Sequence, residues 1–158
     1  MKKILLSILL MASAIFAAPN MAPQFSATTT QGEKVSLDGY LQTKKPLLVY
    51  FTASWCPTCA KNWPSINEVY KTYKDRVNFI SISIDPTDTN EVLEKLATKH
   101  NLIYPMVEGN PKIMVDFGVK GQATTVLVNS KGEITFMDRG HITLKEYQDF
   151  LDNLLANE

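Results

Sequence analysis

The chain reads as a mixed α/β domain, a central sheet flanked by helices, and three stretches predict it. Residues 47–51 are a short apolar run that passes through Thr52-Ala53-Ser54 into Trp55-Cys56-Pro57-Thr58-Cys59, a strand delivering two cysteines to the start of a helix. Residues 77–84 are rich in β-branched side chains, and a helical pattern follows them to His100, so the first two strands should pair in parallel through a right-handed crossover. Residues 124–129 and 133–139 flank Ser130-Lys131-Gly132 as an antiparallel hairpin, and the chain closes on an amphipathic helix.

Met1-Lys2-Lys3, the apolar residues 4–16 and Ala17-Ala18-Pro19 have the three parts of a secretory signal. Residues 1–17 are therefore expected to be a signal peptide and 18–158 one domain. The apolar stretch is shorter than the ~20 residues of a spanning helix. Lys plus Arg number 16 against 16 Asp plus Glu, and losing Lys2 and Lys3 leaves 14 against 16, a net of −2. No basic run suggests a nucleic-acid surface. Export to a periplasm or another extracytoplasmic space also changes how the cysteines read, because disulfides persist there and a dithiol needs a dedicated redox partner.

Within the domain, residues 26–30 and 33–37 flank Gln31-Gly32 and predict a hairpin at the sheet edge. Residues 38–41 predict one helical turn and 42–46 an exposed connection. The run at 47–51 has the composition of a strand buried on both faces. The helix beginning at Pro57 should reach Tyr73, with Ile66, Val69, Tyr70 and Tyr73 on its buried face. Pro64 should kink it, since an internal proline removes a hydrogen bond and costs roughly 3 kcal/mol. Thr89 or Asn90 caps the next helix, with Val92, Leu93 and Leu96 inward. A short helix is expected at 111–117, and the last, at 143–157, carries Leu144, Tyr147, Phe150, Leu151 and Leu154 along one stripe.

The chemistry is expected at Cys56 and Cys59. Proline at the first helical position makes Cys56 the residue preceding the helix. Unpaired amides and the positive end of the helix dipole there favour an anion, hence the thiolate that attacks a disulfide. Cys59, nearly one turn on, is the natural resolving thiol. A purely structural staple would close only a short loop, worth ~2 kcal/mol in the chain-entropy model. Zinc would need further ligands, and His100 and His141 lie far from the usual spacing. A copper-binding module using both thiolates is the alternative, because soft sulfur ligands suit Cu(I).

The Trp-Cys-x-x-Cys corner, Gly118-Val119-Lys120-Gly121 leading into residues 124–128, and the closing hairpin and helix resemble the thioredoxin superfamily over residues 22–156. The N-terminal hairpin and the inserted strand-helix unit between Val77 and Met106 are similar to its extracytoplasmic TlpA/ResA-like branch. That resemblance implies a four-stranded central sheet, a redox-active disulfide between Cys56 and Cys59, and tuning by Trp55, Pro57 and Thr58. It also implies substrate contacts at Gln122, Ala123 and Thr124, and no metal or cofactor. The implied activity is protein-disulfide exchange as a reductant, in cytochrome c maturation or disulfide repair, by a monomer supplied by a membrane thiol-electron carrier of DsbD/CcdA type. Peroxiredoxins, with their Pro-x-x-x-Thr-x-x-Cys pattern, fit poorly, because Val49 and Ala53 occupy the Pro and Thr places.

Three departures from the branch pattern stand out. Ala123 replaces the family's cis-proline, which predicts a trans bond and local rearrangement, since a non-proline cis bond costs ~2.5–4 kcal/mol. Asn62 stands where the branch has a glutamate after the second cysteine, and Tyr50 where thioredoxins bury an aspartate. No general base for Cys59 is then evident from the sequence, and slower exchange than in the family is expected.

Overall fold

A computed structural model describes residues 20–158, so the expected signal peptide lies outside the described residues. Strands β1 (Ser26–Thr28) and β2 (Lys34–Ser36) form the first hairpin, followed by α1 (Leu37–Gln42), β3 (Leu47–Thr52) and α2 (Pro57–Tyr73). Then come β4 (Asn78–Ser83), α3 (Asn90–His100), β5 (Met106–Val107), α4 (Pro111–Asp116), β6 (Thr124–Val128), β7 (Ile134–Arg139) and α5 (Leu144–Ala156). No helix among the described residues is long and apolar enough to cross a membrane.

The main sheet has five strands in the order β5-β4-β3-β6-β7, one more than the family resemblance implied. β3 pairs in parallel with β4 and antiparallel with β6, and β7 continues antiparallel from β6. The extra strand, β5, is two residues long and pairs in parallel with β4. Its brevity, just after Pro105, leaves no alternation to read in the sequence. The N-terminal hairpin is a two-stranded sheet of its own and lies, as expected, at the edge of the main sheet. A bridge from Thr29 to Val107 and a bond from the Thr30 amide to the Met106 carbonyl at 2.8 Å fasten it alongside β5.

Every residue of β3 is buried because helices cover both faces of the sheet. Leu48 and Tyr50 face a core with Ile66 and Val69 of α2, Leu93 of α3 and Tyr147 and Leu151 of α5. Leu47, Val49 and Phe51 face the other, with Phe25, Leu37 of α1, Ile113 of α4 and Phe117. The helix starts agree with their caps. Thr89 accepts the Val92 amide, and Thr143 and Glu146 make a reciprocal capping box, a device worth about 1 kcal/mol.

Two inward assignments fail at the ends of their stripes: Val92 is 37% exposed and Leu144 36%, each in the first turn of its helix, beyond the cover of the core. Helix α2 continues through Pro64, from Pro57 to Tyr73. No peptide bond among the described residues is cis; the bond before Ala123 is trans, as expected, and Ala123 lies in the left-handed region at φ 60°. A left-handed alanine is strained by roughly 1–2 kcal/mol.

Candidate active site

β3 ends at Thr52, and the chain turns through Ala53, Ser54 and Trp55, with the Cys56 amide bonded to the Ala53 carbonyl at 3.1 Å. Cys56 has extended backbone angles and is the N-cap of α2, with Pro57 first in the helix. Its sulfur does what a serine or aspartate oxygen does elsewhere: Sγ accepts the Cys59 backbone N–H at 3.0 Å. The two cysteines form a disulfide, with Cα atoms 5.2 Å apart. Once it is reduced, that amide and the helix dipole would stabilise charge on Cys56, the property that makes a thiol nucleophilic.

The sulfurs are not equivalent. Cys59 is fully buried, whereas Cys56 is 3% exposed and opens on a hollow of about 250 Å³ lined also by Pro57, Thr58, Gln122, Ala123, Arg139 and Gly140. Of the residues expected from sequence, the structure therefore brings Cys56, Pro57, Thr58, Gln122 and Ala123 to one place, with Cys59 directly behind. Thr124 is turned away, its Oγ1–H donating to the Gly121 carbonyl at 2.8 Å. Trp55 does not wall this hollow: it is 58% exposed, and its indole N–H donates to Asp85 Oδ2 at 2.5 Å. Trp63 is the packing tryptophan, 2% exposed, with its N–H on Thr52 Oγ1 at 3.3 Å.

The loop after β4 positions this corner, a role that the sequence did not signal. Asp88 is buried and accepts the Ser54 amide at 2.8 Å, the Ser54 hydroxyl at 2.5 Å and the Ser83 hydroxyl at 2.5 Å. Asp85 holds Trp55 while accepting both the amide and the hydroxyl of Thr87 at 2.8 and 2.7 Å, and these bonds lower its carboxyl pKa below 3.8. The strongest of them come from Thr87, then Trp55. Asp85 is thus a turn residue, as its place after a strand suggests, and also the tether of Trp55. The same loop depends on Gly109, where a Cβ would come within 1.7 Å of the Asp85 carbonyl oxygen.

Below the disulfide, Tyr50 and Asn62 meet. Burial pushes the Tyr50 phenol pKa upward, an effect its bond with Asn62 only partly opposes, so it is no base. Asn62 is completely buried; its Nδ2 donates to Tyr50 Oη at 3.2 Å and to the Gly140 carbonyl at 2.7 Å, and its Oδ1 accepts the Ile142 amide at 3.0 Å. Those two backbone partners fix which way the amide points. His141 Nδ1 lies 2.8 Å from the same Oδ1 and must therefore carry the proton there. Through this clamp α2 holds the segment 140–142, and the Gly140 amide in turn bonds the Ala123 carbonyl at 2.8 Å beside Cys56. His141 is exposed, in keeping with a loop histidine, but not idle.

Among the described residues no group of three or more His, Cys, Asp or Glu side chains is placed to hold a metal ion. The arrangement suits sulfur chemistry: one sulfur at a helix start that accepts a backbone amide and borders the hollow, and a second, more deeply buried sulfur able to displace whatever the first captures.

Comparison with known proteins agrees with this geometry. The family model described as the AhpC/TSA family matches residues 19–137. The thioredoxin-like protein YneN of Bacillus subtilis is 30% identical over 132 residues, covering 83% of this chain and 76% of YneN. The thiol-disulfide oxidoreductase ResA of Bacillus thuringiensis subsp. konkukian is 26% identical over 135 residues, covering 84% and 76%. The crystal structure of a thiol:disulfide interchange protein of the thioredoxin family from Chlorobium tepidum matches with a TM-score of 0.78 over 89% of this chain and 99% of that one; at 22% identity it speaks to the fold alone. The chain belongs to the AhpC/TSA family and is a thioredoxin-like protein whose relatives include thiol-disulfide oxidoreductases.

Proposed function

We propose that this protein is an exported thiol-disulfide oxidoreductase that reduces protein disulfides. The observation that carries the reading is the pairing of the Cys59 amide with Cys56 Sγ at the head of α2, where Cys56 alone of the two sulfurs lines the hollow. In the dithiol form the Cys56 thiolate attacks one sulfur of a substrate disulfide; that S–S bond breaks, the other substrate sulfur leaves as a thiolate and takes a proton from water. Cys59, having lost its proton, then attacks Cys56 Sγ and releases the second substrate thiolate, leaving the Cys56–Cys59 disulfide. Two electrons pass to the substrate. Regeneration needs a dithiol donor, for which a membrane thiol-electron carrier of DsbD/CcdA type is the partner class the branch suggests, with cytochrome c maturation or disulfide repair as the setting.

Support for export is the leader-like composition of residues 1–17 together with the ResA-like relatives, and fractionation of the native host is its check. The activity is tested with Cys59→Ser, which lacks the resolving thiol: Cys56 should then hold partners as stable mixed disulfides that mass spectrometry identifies, whereas Cys56→Ser should hold none. Equal capture by both variants, or none by either, would overturn the assignment of roles. The direction is read separately, from whether the native protein is recovered as dithiol or disulfide after acid trapping.

A further inference from the structure

Resting on the disulfide-exchange reading above, we infer that Arg139 makes the Cys56 hollow select substrates that carry a carboxylate beside the reacting cysteine. Arg139 is the last residue of β7, and its Nε–H donates to the Gln122 carbonyl at 3.2 Å. That bond lays the guanidinium along residues 121–123. A Cβ on Gly121 would come within 2.9 Å of both Cζ and Nη2 of Arg139, so the missing side chain at 121 is what gives the guanidinium its room.

From there Arg139 shares the hollow with Cys56, Pro57, Thr58, Gln122, Ala123 and Gly140, and that lining contains no carboxylate. Arg139 also borders a neighbouring hollow with Asp138 and Lys120 but forms no salt bridge with Asp138, and Asp85 is committed to Trp55 and Thr87. Among the described residues Arg139 enters no ion pair; those that form join lysines to acids of their own helices. A planar cation with unused N–H donors therefore borders the same hollow as Cys56. Guanidinium groups bind carboxylates in a two-pronged fashion that lysine cannot copy.

The same bond changes how a substrate chain can dock. The Gln122 carbonyl, which a substrate strand would otherwise use as an acceptor, is occupied by Arg139, and the Ala123 carbonyl by the Gly140 amide. Backbone pairing is left with fewer acceptors than an open strand edge offers, and the guanidinium supplies a charged handle in its place. The bonds made and broken are those of the exchange already described; the carboxylate contact only holds the substrate sulfur against Cys56.

The test uses the reduced full-length domain and three short peptide disulfides identical but for glutamate, alanine or lysine next to the cysteine. Second-order rate constants are measured by quenched flow and each is divided by the rate of the same peptide with dithiothreitol, which removes the intrinsic reactivity of its disulfide. For the wild type the corrected glutamate-to-lysine ratio should exceed one at low salt and shrink as salt is added. In Arg139→Gln it should fall by about fivefold, the size expected for one exposed charge contact, and Arg139→Lys should retain part of it. An unchanged ratio in Arg139→Gln, with the alanine peptide still reduced, overturns the selectivity and leaves the exchange activity standing. Failure of the wild type to reduce any of the peptides overturns both.

Discussion

Asn62 Nδ2 donates to Tyr50 Oη at 3.2 Å, joining the two positions at which the resemblance leads one to expect carboxylates. Both are neutral, and Asn62 is spent on structure: its amide links α2 to the backbone at Gly140 and Ile142. Asn62→Asp would set an acceptor against the Gly140 carbonyl in a fully buried place. The introduced carboxyl should have a raised pKa, so the variant loses stability as pH rises above the ordinary carboxyl value of about 3.9 and suffers less in acid, where the protonated acid can donate. A loss of about 2 kcal/mol at neutral pH is expected, and urea titrations at pH 4 and pH 7 check it; equal losses at both would count against this account.

Asp88 gathers three hydrogen bonds that hold Ser54 and Ser83, two residues before the redox cysteine and at the end of β4. Asp88→Ala leaves the half-buried Ser54 amide and both hydroxyls without that partner. A stability loss of about 3 kcal/mol is expected. Because the turn before Cys56 loosens, the thiolate should also be less favoured, read as a slower reaction of reduced Cys56 with iodoacetamide at neutral pH.

Trp55 is tethered to a carboxylate whose pKa lies below 3.8, lowered chiefly by the Thr87 hydroxyl and amide and then by the indole. A depressed carboxyl contributes stability that is complete above its unfolded pKa and is lost only as pH falls through its folded value. Acid titration of tryptophan fluorescence should therefore show a step with a midpoint below 3.8, absent in Asp85→Asn. A step at or above the ordinary carboxyl range would show that the tether is not formed in solution.

Ala123 sits at φ 60° against the disulfide, where a side chain is strained and glycine is not. Ala123→Gly should be neutral to stabilising, by up to about 1 kcal/mol, whereas most buried alanines replaced by glycine lose stability. Thermal denaturation distinguishes the two, and a clear drop in melting temperature would mean that the left-handed turn is not the solution conformation.

Much of this was legible in advance. The strand at Leu47, the helix start at Pro57, the parallel partner at β4, the closing hairpin and the terminal helix appear where the patterning places them. The trans bond before Ala123 followed from the cost of the alternative. What the pattern left unread was short or exposed: β5 has two residues, and Trp55 reads as apolar yet faces solvent. Arg139 and Asp88 carried no local signal, as single charged residues in a strand end and a loop.

The residues by themselves determined what depends on near neighbours: a proline that starts a helix, a sulfur three positions before the amide it accepts, and alternating or helical stripes that choose a buried face. Only the tertiary structure decided which distant groups meet at that sulfur. Asp88 reaches Ser54 across 34 positions, and Asn62 reaches Gly140 across 78 and Ile142 across 80. Hydrogen bonds need separations near 3 Å, and over such chain lengths only the packed sheet and helices, not any sequence spacing, can set them.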